Sequence, residues 1–114
     1  MSKRNDRISM RQMLDSARHA HAMALGRKRS DLDLDYMFQL ALTRLVEIIG
    51  EAASRVSKPT REKYRQIPWA DIVGMRNRLI HGYDVVDLNL LWNTVETDLP
   101  QLIEQLEEII EGET

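Results

Sequence analysis

Apolar residues recur every three or four positions along three long stretches of this 114-residue chain, and nowhere do they alternate with the period of two that a strand needs. Glycine and proline are scarce, whereas leucine, isoleucine, glutamate, arginine and alanine abound, a balance that favours helix. The length suits one domain rather than two. We therefore predict a single all-α domain over residues 1–114, folded as an antiparallel bundle of three long and two short helices.

Local signals give the expected limits of these helices. They run from about Asp6 to Leu25, from Asp33 or Asp35 to about Ser57, over residues 59–66, from Pro68 to Gly82, and from about Asp87 to Glu111. Gly26 is a plausible helix stop, and the stretch GRKRSDLDLD that begins there is expected to be a polar turn. Lys58 precedes a proline, a position that disfavours helix. Pro100 should kink or divide the last helix.

The second helix carries the clearest apolar stripe. Its expected members are Leu34, Phe38, Ala41, Leu45, Ile48, Ala52 and Val56, flanked by Met37, Ile49 and Ala53. Such broad faces exceed what one small bundle needs to bury. We therefore expect a homodimer.

Composition excludes several classes of protein. There is no cysteine, so disulfides, thiolate metal sites and a cysteine nucleophile are excluded. His19 and His21 are two residues apart, diverge on a helix and lack other convergent ligands, so we expect no metal and no cofactor. No apolar run approaches the ~20 residues that span a bilayer, and no signal-peptide core is present, so a cytoplasmic protein without membrane contact is expected.

The net charge of −2 conceals an uneven distribution. Residues 1–30 hold eight basic and two acidic side chains, whereas residues 85–114 hold eight acidic side chains and no lysine or arginine. One interpretation is attraction between two antiparallel helices. The other is a basic face for a phosphate backbone and an acidic face for a different partner. The asymmetry does not decide between them.

Polar chemistry concentrates in RNRLIHGY, residues 76–83, at one helix end. In a continuous helix Asn77 lies one turn from His81 and can orient its imidazole, whereas Arg76 points roughly 140° away from His81. Three solutions remain open: a distorted last turn, an arginine that reaches round, or a pair completed across a dimer interface.

An arginine and a histidine at such a helix end are the minimum equipment for cutting RNA without a metal. The guanidinium of Arg76 can grip phosphate oxygens, and the imidazole of His81 can move a proton near neutral pH. The bland interpretation is that His81 only caps carbonyls beside Gly82 while the arginines solvate the surface. Spacing alone favours this bland interpretation.

The same run resembles the R-x4-H-x-Y motif of HEPN-domain toxins of the HepT type. The segments VEIIGEAASRVS (46–57), IPWADIVGMRNRLIHGY (67–83) and WNTVETDLPQLIEQL (92–106) also resemble that family, in the same order, so the likeness covers about residues 6 to 110. It implies an all-α, homodimeric, metal-independent ribonuclease that is the toxin of a prokaryotic type VII-like toxin–antitoxin pair. Arg76 and His81 would be catalytic, and Asn77 would support them.

The resemblance also assigns Tyr83, the tyrosine of the motif, as the residue adenylylated by a partner minimal nucleotidyltransferase, the antitoxin. AMP on this phenol would bring bulk and negative charge where RNA phosphates bind. Rival hypotheses are a non-catalytic module that binds nucleotide or substrate for a separate nucleotidyltransferase, and a purely structural dimerisation domain.

Three further residues are candidates for supporting roles. Glu47 or Glu51, one turn apart on the second helix, would pair with Arg76 and orient it; the alternative is a surface face paired with Arg44 and Arg55. Arg78 is a candidate contact for an RNA phosphate, or a plain surface residue.

Overall fold

The computed structural model describes residues 3–81 and 85–112, and the side chains of residues 5–80 and 85–112. Its elements are α1 (Lys3–Ala24), α2 (Asp31–Leu34), α3 (Tyr36–Ser54), α4 (Lys58–Lys63), α5 (Trp69–Leu79), β1 (Ile80–His81), β2 (Val85–Val86), α6 (Leu88–Asn93), a π-helical turn (Thr94–Asp98) and α7 (Leu99–Gly112). Helices dominate, so the predicted all-α class is confirmed; β1 and β2 form only a two-residue antiparallel pairing.

The core is built around α1, which packs against α3 and α7, and α5 packs in turn against α3. Fully buried apolar side chains from all four helices fill it, among them Met13, Leu14, Leu42, Leu79 and Leu106. Arg18 on α1 donates to Glu107 at 2.6 Å and to Glu111 at 3.1 Å on α7. At Arg18, the opposite charges of the two ends of the chain therefore join two helices, as the first interpretation of the asymmetry expects.

Several helix limits lie near their predicted positions, and local capping explains them. Gly26 adopts φ +74°, a left-handed conformation that suits glycine just after a helix. The carboxylate of Asp35 accepts from the backbone N–H of Phe38 and starts α3. The carboxylate of Asp87 accepts from Leu90 in the same way at α6.

Two limits near the polar turns differ from expectation. Residues 31–34, expected within a turn, form α2. Helix α3 ends at Ser54 rather than near Ser57, and side chains from other elements satisfy backbone groups at and beyond its end. Asp6 accepts from the backbone N–H of Ser57 at 2.9 Å, and Arg61 donates to the carbonyl of Ala53 at 3.0 Å. The spacing of residues in the sequence does not predict these contacts.

The predicted continuation of α5 to Gly82 is wrong. The helix ends at Leu79, and Ile80 is extended, with φ −107° and ψ 119°. The returning chain supplies the reason: Ile80 pairs with Val86, and the N–H of Asp87 donates to the carbonyl of Leu79 at 2.7 Å. A carbonyl that the helix end leaves open is thereby satisfied from a segment eight residues away.

The apolar stripe of α3 is rotated by about one residue from its expected place. The buried face consists of Phe38, Leu42, Val46, Ile49 and Ala53, with Ala52 beside it. Of the expected stripe, Leu34 is 82% exposed, and Ala41, Leu45 and Ile48 are only partly buried. Two neighbouring apolar stripes therefore run along α3, and the bundle buries only one of them fully.

The last helix is divided just before Pro100, as predicted. A π-helical turn over Thr94–Asp98 separates α6 from α7, and the N–H of Leu99 reaches back five residues to the carbonyl of Thr94. Since proline has no N–H to offer the helix, a wider turn at this point accommodates it.

Candidate functional site

Helix α5 presents the first three residues of the RNRLIHGY segment. Pro68 precedes its first residue, Trp69, which is only 7% exposed and whose indole N–H donates to the carbonyl of Tyr64 at 3.0 Å. Met75 and Leu79 are buried and fix the rotation of the helix. With these two side chains inward, Arg76, at the start of the last turn, is left on the surface.

Arg76 is held by an acidic residue of α3. Its Nε donates to Oε2 of Glu47 at 2.9 Å. The arginine side chain is 56% exposed, whereas that of Glu47 is only 15% exposed, so the carboxylate is the fixed partner. Among the residues whose side chains are described, no second partner of this guanidinium occurs. Its terminal nitrogens can thus receive a phosphate while Nε stays anchored.

Glu51, one turn further along α3, has a different partner. Its carboxylate accepts from Nη1 of Arg44 at 2.9 Å, and both side chains are largely exposed. The two glutamates considered as partners of Arg76 are thus separated by the structure: Glu47 meets Arg76, and Glu51 meets Arg44.

Asn77 and Arg78 point to other parts of the surface. Asn77 is exposed, and the expected one-turn relation between Asn77 and His81 is wrong, because the helix ends at Leu79. Arg78 lies about 200° around α5 from Arg76. It donates to the backbone carbonyl of Asp71 at 2.9 Å. The structure therefore does not bring Arg76 and Arg78 together.

His81 and Tyr83 are described only in part or not at all. The backbone of His81 belongs to β1 and pairs with Val85, but its side chain is outside the described residues. Gly82 and Tyr83 also lie outside them. The backbone leaves the helix after Leu79, so the 140° angle of an ideal helix does not apply to Arg76 and His81, whose pairing involves a side chain outside the described residues.

Sequence reasoning missed a cleft behind α5. It has a volume of about 180 Å³ and lies between α5 and the segment from the π-helical turn to α7. Ile72, Met75 and Leu102 give it an apolar wall, and Arg78 and Asp71 stand at its edge. The spacing of seven residues between Asp71 and Arg78 places both on one face of α5, and this was the available signal.

The described residues form neither a cluster of metal ligands nor a membrane-spanning helix. No group of three or more histidine, aspartate or glutamate side chains within the described ranges converges as metal ligands. Within the same ranges, no helix has both the length and the apolar character that crossing a membrane requires.

Comparison with known proteins places these residues in a family context. Residues 13–109 match the family model described as "Ribonuclease HepT-like". A Methanocaldococcus jannaschii protein named "Putative RNase MJ1380" is 35% identical over 94% of this chain and 98% of its own length. "Putative RNase TTE0752" of Caldanaerobacter subterraneus subsp. tengcongensis is 40% identical over 73% of this chain and 74% of its own.

A third relative carries the family's own name. "Probable ribonuclease HepT" of Thermococcus cleftensis is 38% identical over 69% of this chain and 72% of its own length. None of the solved structures matches the chain.

Proposed function

Because the chain belongs to the HepT-like ribonuclease family, we propose that it is a ribonuclease toxin that cleaves RNA with Arg76 and His81 and without a metal ion. The observation that carries the proposal is the ion pair between Arg76 and the largely buried Glu47. A surface arginine that only solvates the protein needs no fixed carboxylate. An arginine that must meet one phosphate in one geometry benefits from this anchor.

In the proposed reaction the ribose 2′-oxygen attacks the adjacent phosphorus. His81 removes the 2′-proton, the new O–P bond forms, and the terminal nitrogens of Arg76 stabilise the negative charge of the crowded phosphorane. The bond from phosphorus to the 5′-oxygen then breaks, and this oxygen receives the proton. The products are a 2′,3′-cyclic phosphate and a 5′-hydroxyl. DNA lacks the attacking 2′-oxygen and is not cut.

The active form is proposed to be a homodimer whose two sites share one cleft. Several large apolar side chains of α2, α3 and α5 are exposed: Leu34 by 82%, Tyr36 by 67%, Met37 by 75%, Leu40 by 46% and Val73 by 36%. On α3, Met37, Leu40, Arg44 and Glu47 follow each other at helical spacing along one face. A second copy seated on this face would cover the apolar residues and bring both Arg76 side chains to the interface.

Control of the toxin is proposed to act through Tyr83. A cognate nucleotidyltransferase, the antitoxin, would join the phenolic oxygen to the α-phosphorus of ATP, with release of pyrophosphate. The AMP would place an anion beside Arg76 and compete there with RNA. Asn77 would support Arg76 and His81. The toxin and its antitoxin would work in the cytoplasm, where the RNA substrate is.

The test is cleavage of total RNA by the unmodified protein in excess EDTA, with intact mass measured first to show that Tyr83 carries no nucleotide. We compare the wild type with His81→Ala and Arg76→Ala. Cleavage by the wild type alone, leaving 5′-hydroxyl ends, is the expected result.

Absence of cleavage by all three proteins would contradict the proposal. The rival hypothesis, a module that binds nucleotide for a separate nucleotidyltransferase, would then predict that Arg76→Ala weakens nucleotide binding while His81→Ala affects it less.

A further inference from the structure

The backbones of α3 and α5 come unusually close at Gly50. This residue is buried, and a Cβ atom added to it would lie 3.0 Å from the carbonyl oxygen of Ile72 and 3.9 Å from that of Val73. Contacts of real Cβ atoms essentially never fall below 3.0 Å, and nine in ten are longer than 3.4 Å. The obstacle is backbone rather than a flexible side chain, so only glycine allows the two helices to approach this closely.

This close approach lies one helical turn from the ion pair of the site. On α3, Gly50 follows Glu47 by three residues; on α5, Val73 precedes Arg76 by three residues. The two helices run antiparallel here, so the contact at Gly50 and the ion pair between Glu47 and Arg76 are neighbouring contacts of one helix–helix interface. The two contacts are only about 5 Å apart along the helix axis, so a displacement of α5 at Gly50 also moves Arg76 relative to Glu47.

We propose that Gly50 is a positioning residue for Arg76: it sets the distance between α3 and α5 at which Glu47 orients the guanidinium. This inference deepens the proposed ribonuclease function and rests on it for its catalytic consequence. Its structural consequence, the loss of the ion pair when α5 is pushed away, stands independently of RNA cleavage.

The variant Gly50→Ala separates this role from an ordinary structural one. Alanine is the better helix former, so at a position that only maintains α3 the change would raise or preserve stability. At the crossing, its methyl group must move Ile72 and the rest of α5 by a few tenths of an ångström. A small misplacement of a transition-state arginine lowers kcat more than it alters KM.

Gly74→Ala is the matched control. It adds the same methyl group two residues from Arg76, but the nearest atom to its Cβ is the terminal nitrogen Nη1 of Arg78, at 3.4 Å, which belongs to a flexible side chain. Both variants gain helix propensity, and only one moves the interface between α3 and α5.

Three measurements are made on the unmodified full chain. The first is kcat and KM for RNA cleavage by the wild type, Gly50→Ala and Gly74→Ala. The second is the Nε–H resonance of Arg76 in nitrogen-15 NMR, assigned with Arg76→Lys and compared with Glu47→Gln, which lacks the ion pair. The third is a double-mutant cycle between Gly50→Ala and Glu47→Gln.

We expect Gly50→Ala to lower kcat about tenfold or more with little change in KM, and to move the Arg76 resonance towards its position in Glu47→Gln, while Gly74→Ala matches the wild type. In the cycle, Gly50→Ala should cost little once Glu47 is already Gln. Full activity and an unshifted resonance in Gly50→Ala, or independent multiplication of the two losses, would overturn the proposal. A wild type that cuts no RNA would instead overturn the proposed function, and the resonance would still decide the role of Gly50.

Discussion

At the scale of single residues, Glu47 and Glu51 show how one helical turn separates two chemical environments. Both are glutamates of α3 and both accept from an arginine at 2.9 Å. Glu47 is 15% exposed and holds Arg76, whereas Glu51 is 43% exposed and pairs with Arg44, whose side chain is 58% exposed. The first pair has a carboxylate fixed by its surroundings; the second is an ordinary surface pair.

This contrast makes Glu47→Gln and Glu51→Gln a matched pair of variants. Glu47→Gln should lower kcat for RNA cleavage about tenfold, because Arg76 loses its charged anchor. Its unfolding free energy should change by less than about 1 kcal/mol, since an ion pair with an exposed partner contributes little. Glu51→Gln should leave kcat unchanged. Equal losses of kcat in both variants would contradict the assignment of Glu47 to Arg76.

The two arginines of α5 provide a second residue-level test. Arg76→Lys removes the fork that can hold Glu47 with Nε and phosphate with the terminal nitrogens, so cleavage should fall about 100-fold or more. Arg78→Lys, on the other side of the helix, should retain activity within about twofold at low salt. A large loss of RNA affinity in Arg78→Lys would instead show that Arg78 contacts a phosphate. Cleavage rates and binding are both measured by gel assay at matched ionic strength.

At the scale of elements, a carboxylate on α1 joins that helix to the start of α4. Asp6 is only 2% exposed and accepts from the backbone N–H and hydroxyl of Ser57 and from the hydroxyl of Thr60. Burial alone would raise the pKa of Asp6, but these hydrogen bonds outweigh it and hold the pKa below its usual value. The charged form of Asp6 is therefore the one that stabilises the fold.

The lowered pKa predicts a loss of stability in acid. The contribution of Asp6 is complete above the pKa of an unfolded aspartate, near 3.9, and disappears as pH falls through the lower value of the folded protein. Asp6→Asn should lower the unfolding free energy at pH 7 by about 1–3 kcal/mol and flatten its pH dependence below about pH 4. Asp15→Asn, at an exposed pair with Arg11, is the control and should have little effect. Urea unfolding between pH 2 and pH 7 measures both.

The sequence predicted the end of a helix where neighbouring residues determine that end, and failed where a distant segment determines it. Gly26, Asp35 and Asp87 act on their own helix ends, so their effects were readable from a few residues. The end of α5 was not, because it depends on Ile80 pairing with Val86 across the turn. In the site, spacing alone left Glu47 and Glu51 as equal candidate partners for Arg76, and only the packing of α3 against α5 distinguished the two glutamates.

At the scale of the whole molecule, the apolar surface on α2 and α3 is the feature that a single copy leaves unexplained. Met37→Glu places a charge in the centre of the proposed interface between copies. It should convert the proposed dimer to a folded monomer and abolish cleavage. Ile8→Glu changes a residue that is 60% exposed near the opposite end of the bundle, and should leave the proposed dimer intact. Sedimentation equilibrium and cleavage assays on the same samples would contradict the shared cleft if Met37→Glu were an active monomer.

The π-helical turn over Thr94–Asp98 has a consequence for insertions and deletions. Leu91, Val95 and Leu99 are buried at intervals of four residues, and in a regular α-helix this spacing would drift about 80° around the axis over eight residues. The wider turn absorbs part of that drift, so the core faces of α6 and α7 stay aligned. The segment thus sets the phase between the two halves of the last helix. Insertion or deletion of one residue there would rotate the rest of the last helix by about 100° and turn Leu102 and Leu106 away from the core. The same insertion or deletion in an exposed loop would alter only the length of the loop.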